Sequence, residues 1–297
     1  MPLTLVDVSK VYKIGTFGGS SLVAVRDVSF ELAPGEVVSL IGESGSGKST
    51  IGRMILRLVD PSTGSIRLDG ADVQELGRRE LRRYYGRVQG VFQDPFSSYN
   101  PIFKADRALA TIRSAYLADL SRAEWSEKLG ESLAAVGLNP RDVLGKYPHQ
   151  LSGGQLQRLL IARALLLDID YLVADEIISM LDASTRIDVL NLLGDLKARG
   201  LGILFITHDL SLGNYISDRT IILRRGAIVE MGATRKVFEN ARHPYTKLLL
   251  DSVPQLHEKW ATNGARPASP IVADESRAEL VEVEADHFAA VVPDDRT

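Results

Sequence analysis

The stretch Gly42-Glu43-Ser44-Gly45-Ser46-Gly47-Lys48-Ser49-Thr50 constrains this chain more than any other. It fills every fixed position of G-x-x-x-x-G-K-[ST], in which glycines let successive backbone N–H groups turn inward around phosphate oxygens. Flanking pattern decides whether such a match carries meaning. Glu36 to Ile41 reads as a buried strand, and beyond the motif Ile51, Met54, Ile55 and Leu58 recur at helical spacing. The helix start adds the positive end of its dipole. Lys48 is expected to reach the outer phosphates of a nucleoside triphosphate, and Ser49 to offer its hydroxyl to Mg²⁺. Gly42, Ser44, Gly45, Ser46, Gly47 and Thr50 complete the cradle. A chance Gly/Ser turn would not arrive with that strand and that helix.

Bulk properties narrow the setting. At 297 residues and 45% hydrophobic, the chain can bury a sizeable core, as one large domain or a core with an inserted subdomain. It has no cysteine, so disulfides, thiolate metal sites and cysteine nucleophiles are excluded. Met1-Pro2-Leu3-Thr4 offers neither a basic nor an apolar leader segment, so no signal peptide is expected. No apolar run approaches the roughly 18–20 residues that span a bilayer. Work at a membrane would need another chain to recruit this one. A net charge of -3 argues against a nucleic-acid partner. The cluster Arg78, Arg79, Arg82, Arg83 and Arg87 reads as a solvated helix face rather than a contact patch.

Along the chain, Leu3 to Val11 and Val23 to Leu32 alternate as paired half-buried strands do, joined by a Gly/Ser loop from Gly15 to Ser21. A turn at Pro61–Gly64, a strand at Ser65–Leu68 and another at Val88–Phe92 follow. From about Pro101 to Leu167 the pattern is mainly helical. Beyond Asp170 strands and helices alternate again: Tyr171–Ala174 and Gly202–Thr207 are apolar strands, and Ser184–Lys197 is helical. Arg235–Asn240 and the stretch through Val253 read as helices, Pro254–Pro270 as a linker, and Leu280–Glu284 as an edge strand. This is an α/β layered core with a helical insertion.

A phosphate loop needs a carboxylate at the end of a neighbouring strand, and Tyr171-Leu172-Val173-Ala174-Asp175-Glu176 supplies two. Asp175 is expected to partner Mg²⁺, and Glu176 to polarise the attacking water. Leu151-Ser152-Gly153-Gly154-Gln155 then follows the helical insertion and precedes the acidic strand by one helix. With these elements in this order the chain resembles an ATP-binding cassette (ABC) ATPase. The resemblance implies a P-loop NTPase fold with a RecA-like core and antiparallel β subdomain (1–92 and 168–232), an α-helical subdomain (93–167) and a C-terminal extension (233–297). It also implies that Ser152 and the Gly153-Gly154 amides, with Gln155, meet the γ-phosphate on a second chain's P-loop. A Gly-rich helix cap is the plainer alternative, and it leaves Gln155 unexplained.

Further positions match the family one by one. Gln93 resembles the Q-loop glutamine that senses Mg²⁺ and the water, Asp182 the D-loop aspartate, and His208 the switch histidine on the γ-phosphate. Tyr12 resembles the aromatic that stacks on adenine, with Phe17 as a rival. Val91–Pro101, Tyr147-Pro148-His149-Gln150 and His243-Pro244-Tyr245-Thr246 resemble the oligopeptide/dipeptide importer branch. That branch implies ATP hydrolysis at a dimer interface with a second ATPase subunit, commonly a different chain. It also implies two transmembrane permeases, a solute-binding protein, and a peripheral place at the cytoplasmic face of the membrane. The cargo class would be oligopeptides or a related solute such as an oligosaccharide. Two departures stand out. Ile177-Ile178 replaces the usual Pro-Thr, with Met180 where Ala is usual, and the tail lacks the cysteines that relatives are taken to use for an iron–sulfur cluster. A DNA-repair or translation ATPase would be expected to add a coiled coil, a second cassette or zinc-binding cysteines. A non-hydrolysing regulatory subunit has only Ile177-Ile178 in its favour, and an exporter would be expected to carry a fused membrane domain.

Overall fold

The computed structural model describes residues 2–14, 19–252 and 278–291. Strands β1 (Leu3–Lys13) and β2 (Ser21–Leu32) pair antiparallel from Leu3↔Leu32 to Lys13↔Ser21. Next come β3 (Val37–Ile41), helix α1 (Lys48–Ile55), β4 (Thr63–Leu68) and the short β5 (Ala71–Asp72). Helix α2 (Arg78–Arg87) leads into β6 (Val88–Val91). The insertion holds α3 (Arg107–Tyr116), α4 (Arg122–Ala135), α5 (Pro140–Val143) and α6 (Gly153–Leu165). The core resumes with β7 (Tyr171–Asp175), α7 (Ala183–Ala198), β8 (Gly202–Thr207), α8 (Leu210–Ile216), β9 (Arg219–Arg224) and β10 (Ala227–Ala233). Helices α9 (Thr234–Glu239) and α10 (Pro244–Asp251) and a hairpin of β11 (Glu279–Glu284) and β12 (His287–Val291) complete the described chain.

Two sheets form. One is antiparallel, in the order β2-β1-β4-β5, and the other runs β11-β12-β10-β9-β3-β8-β7-β6. Within the larger sheet β3, β6, β7, β8 and β9 are parallel. A parallel sheet needs both faces covered, which is why β7 and β8 are buried throughout and read as largely apolar runs. Alternation divides them between two cores. Val37, Leu172, Ala174, Ile203 and Phe205 face Leu156 and Leu160 of α6 and Leu190 and Leu193 of α7. Val38, Leu40, Val173, Leu204 and Ile206 face Ile51 and Met54 of α1 and Leu5, Val25 and Phe30 of the antiparallel sheet.

The edge strand expected at Leu280–Glu284 is present as β11, at the end of the large sheet. The C-terminal segment is therefore joined to the core: Glu230↔Ala289 and Gly232↔His287 pair across β10 and β12. Phe17 and the linker expected at Pro254–Pro270 lie outside the described residues. Of the arginine cluster, Arg87 departs from a solvated face, because its guanidinium pairs with Asp69 and Asp170, each at 2.5 Å.

One buried ionisable pair holds the C-terminal segment. His287 Nε2 lies 2.7 Å from Glu230 Oε1, and both side chains are fully buried. The Glu230 carboxylate also accepts the backbone N–H groups of Arg242 at 2.7 Å and His243 at 2.9 Å, so it joins the start of α10 to β12. Removing a shared acceptor strands every donor it served. Glu230→Ala is expected to lower stability by about 3 kcal/mol, read as a shift of the urea midpoint at unchanged slope.

Candidate phosphate-binding site

The loop between β3 and α1 is gripped from two sides. A carbon added at Gly42 would lie 2.1 Å from the Leu223 carbonyl oxygen of β9, and one added at Gly47 would lie 2.4 Å from the Ala24 carbonyl oxygen of β2. Gly47 also has φ +105°, in the left-handed region, where it starts α1. Gly226 bridges the two jaws: its N–H donates to Ser46 O at 2.9 Å and its carbonyl accepts Arg26 N–H at 2.8 Å.

Lys48 is buried, and its ammonium donates to Gly42 O at 2.7 Å and Glu43 O at 2.8 Å. Burial pushes its pKa down, against the carboxylates of Glu176, Asp175 and Glu43, which pull it up. Asp175 ends β7, with its side chain buried under the loop. Its Oδ1 accepts the Ser49 hydroxyl at 3.1 Å. Burial raises the Asp175 pKa, the Ser49 hydrogen bond and the cations Arg53 and Lys48 oppose that rise, and Glu176 adds to it. A buried carboxylate beside a hydroxyl is a hard-oxygen pair that suits Mg²⁺, which keeps waters and phosphate oxygens in its remaining positions. Among the described residues no group of three His, Cys, Asp or Glu could hold a metal alone.

Glu176 follows Asp175 with φ +50°, an uncommon backbone for a glutamate. Its N–H is tied to Ile206 O at 2.9 Å, and its carbonyl accepts the Ser179 N–H and hydroxyl at 3.1 and 2.9 Å. Its carboxylate Oε1 lies 3.2 Å from Nδ1 of His208, which leaves the end of β8 and is largely exposed. Ile177 and Ile178 are both buried in the core under α6 and α7, so the departure at these positions anchors this turn by packing. Met180 is exposed. Arg186 adds a brace, donating to Leu181 O at 2.8 Å and Ser179 O at 3.2 Å.

A cleft of about 570 Å³ collects Gly42, Glu43, Ser44, Ser49, Gln93, Glu176 and His208, with Ile41 and Leu249. Tyr12, Gly45, Ser46, Gly47, Lys48, Thr50, Ser152, Gly153, Gly154, Gln155, Asp175 and Asp182 are not among its lining residues. Tyr12 lies on β1 with the Lys10 ammonium 5.2 Å from its ring centroid. Asp182 caps α7, accepting Thr185 N–H at 3.0 Å and the Ser184 and Thr185 hydroxyls, bonds that hold its pKa well below the ordinary carboxylate range. Gln155 requires a correction. Ser152 Oγ accepts Gln155 N–H at 3.2 Å and Gln155 Oε1 accepts Ser152 N–H at 2.9 Å, a reciprocal box at the start of α6. A helix cap therefore does account for Gln155. Leu249, a wall of the cleft, carries no signal of its own in the sequence, although it lies three residues beyond the His243–Thr246 run.

Residues 25–179 match the family model described as ABC transporter, and residues 229–277 match the one described as the oligopeptide/dipeptide transporter C-terminal region. A putative peptide import ATP-binding protein of Brucella ovis is 46% identical over 237 residues, covering 79% of this chain and 74% of the relative. The oligopeptide transport ATP-binding protein OppF of Bacillus subtilis is 39% identical over 271 residues, covering 89% and 88%. A solved dimeric ATP-binding cassette in a post-hydrolysis state, bound to ADP and Pi, superposes with a TM-score of 0.70 at 30% identity, covering 79% of this chain and 99% of that one.

The two-sided grip predicts a specific lesion. Gly42→Ala must displace either the loop or β9, at about 2 kcal/mol. The expected result is a loss of roughly 30-fold in ATP affinity, read by calorimetric titration, with cooperative unfolding retained.

Proposed function

The chain belongs to the ABC transporter ATPases, and we propose that it is the ATP-hydrolysing subunit of an importer for oligopeptides or a related solute. One observation carries the reading. A single cleft gathers Gly42, Glu43, Ser44 and Ser49 of the phosphate loop with Gln93, Glu176 and His208, while Ser152–Gln155 and Asp182 are not among its lining residues. That is the composition of half a nucleotide site, whose other half comes from the signature of a second ATPase subunit.

Each residue then has a task. Tyr12 is the proposed stacking partner for adenine, and Thr50, one residue past Ser49 in the first turn of α1, completes the phosphate cradle. Lys48 and the loop amides neutralise and orient the β- and γ-phosphates. Ser49, Asp175 and Gln93 are the proposed Mg²⁺ ligands, and the ion bound there would offset charge on the phosphoryl oxygens. Glu176 accepts a proton from water as the water oxygen bonds to the γ-phosphorus. The bond from that phosphorus to the β–γ bridging oxygen breaks, leaving ADP and inorganic phosphate. His208 holds the Glu176 carboxylate from the side, as its 3.2 Å contact already does, and reaches the γ-phosphate. The cap bonds at Ser152 and Gln155 fix the start of α6 and occupy those two amides, leaving the Gly153 and Gly154 amides for the partner's phosphate.

No helix among the described residues is long and apolar enough to cross a membrane. In this reading permease subunits supply the passage, a solute-binding protein delivers cargo, and the chain sits at the cytoplasmic face. The ATP-binding relatives named for peptide import and for oligopeptide transport support that cargo class. An isolated monomer should bind ATP yet turn it over poorly.

Glu176→Gln is expected to lower phosphate release by about 10²–10⁴ in the assembled transporter, with the partner's site silenced, and to let an ATP-bound closed dimer accumulate on a sizing column. Near-native phosphate release would refute the role given to Glu176.

A further inference from the structure

We infer that Tyr245, on the C-terminal segment, is a positioning residue for the phosphate-binding lysine, acting through one peptide plane of the loop. This rests on the reading of Gly42–Thr50 as the ATP phosphate site and adds to it a residue 202 positions away in sequence.

The geometry is specific. The Glu43 N–H donates to the Tyr245 hydroxyl oxygen at 3.2 Å. The carbonyl of the same peptide unit, Gly42 O, accepts the Lys48 ammonium at 2.7 Å. A trans peptide is planar, with its N–H and C=O pointing in opposite directions. Tyr245 and Lys48 therefore pull on opposite edges of one rigid plate. Rotating that plate away from Tyr245 would swing Gly42 O away from Lys48. Leu223 O leaves no room for a side chain at Gly42, so the plate is confined from a third direction.

Tyr245 is itself held firmly. It is buried with Ile41, Ile222, Val229 and Val237, and Ile41 is the last residue of β3 before the loop. The Arg224 guanidinium lies 4.8 Å from its ring centroid. Its N–H donates to His243 Nδ1 at 3.1 Å, and the His243 N–H donates to Glu230, the carboxylate shared with His287. One turn of α10 later, Leu249 reaches the cleft that Glu43 and Ser44 also line. The hydroxyl thus arrives at Glu43 on a support anchored in the central sheet, so little freedom is lost in making the bond.

Tyr245→Phe removes the hydroxyl and keeps the ring in its apolar surroundings and against Arg224. In the full chain, calorimetric titration with ATP and Mg²⁺ is expected to show affinity weakened by about three- to tenfold, the range for one hydrogen bond. Thermal unfolding should stay cooperative, with a midpoint lowered by no more than about 4 °C. Hydrogen exchange should quicken over residues 42–48 and stay native over β10 and α10, which a merely structural role for the hydroxyl would not produce. In the assembled transporter the KM for ATP should rise while kcat holds. Native affinity and native exchange over residues 42–48 in Tyr245→Phe would overturn the inference. Lys48→Ala, measured alongside, separates the two levels: if it loses ATP while Tyr245→Phe does not, only the inference fails. If Lys48→Ala keeps native affinity, the phosphate-site reading fails and the inference falls with it.

Discussion

A phosphate-binding loop is backbone whose amides must point at a ligand and not at one another, so its shape has to be imposed from outside. Here two carbonyl oxygens impose it. Leu223 O of β9 presses on Gly42 and Ala24 O of β2 presses on Gly47, and Gly226 ties the two sides together through Ser46 and Arg26. The antiparallel sheet is thus the outer jaw around this loop, and β1, β2 and β4 pack over α1 through Leu5, Val25, Phe30 and Ile66. The lysine at the loop's end turns back onto Gly42 O and Glu43 O, the carbonyls that the jaws leave facing inward.

The acidic side of the cleft obeys a similar constraint. Asp175 is buried at the end of a strand and Glu176 turns out of it at φ +50°, a conformation that surrounding structure must hold in place. Ile177 and Ile178 do so from below by burial, and Ser179, Leu181 and Arg186 by hydrogen bonds. The unusual residues at 177 and 178 therefore leave the carboxylate and His208 side by side. Ser152 and Asp182 cap their own helices, and in the proposed function they also face a partner chain. The two roles are compatible, because a well-capped helix start is a rigid platform for its remaining amides.

Much of this was legible along the chain. The glycine–lysine run, the paired acids after an apolar strand and the order of Gln93, Leu151–Gln155, Asp182 and His208 are local patterns with local physical reasons. Strands such as Gly202–Thr207 were readable because a strand buried on both faces must be apolar throughout. The edge strand at Leu280–Glu284 was readable from its alternation. Gln155 was misjudged, because its partner is the backbone N–H three residues earlier and only side-chain direction reveals the reciprocal bond. Tyr245 was visible only as part of a family marker.

By itself, then, the sequence determined that this chain carries a strand–loop–helix of phosphate-binding pattern and paired carboxylates at the end of an apolar strand, since those features follow from residue type and short-range period. Tertiary structure decided which distant side chains complete the site. Tyr245 at Glu43, Leu249 in the cleft wall and His287 on Glu230 are joined across long sequence separations. Contacts of that kind leave no periodic trace in a sequence, because what selects each partner is the place where the sheet brings it and not the residues beside it.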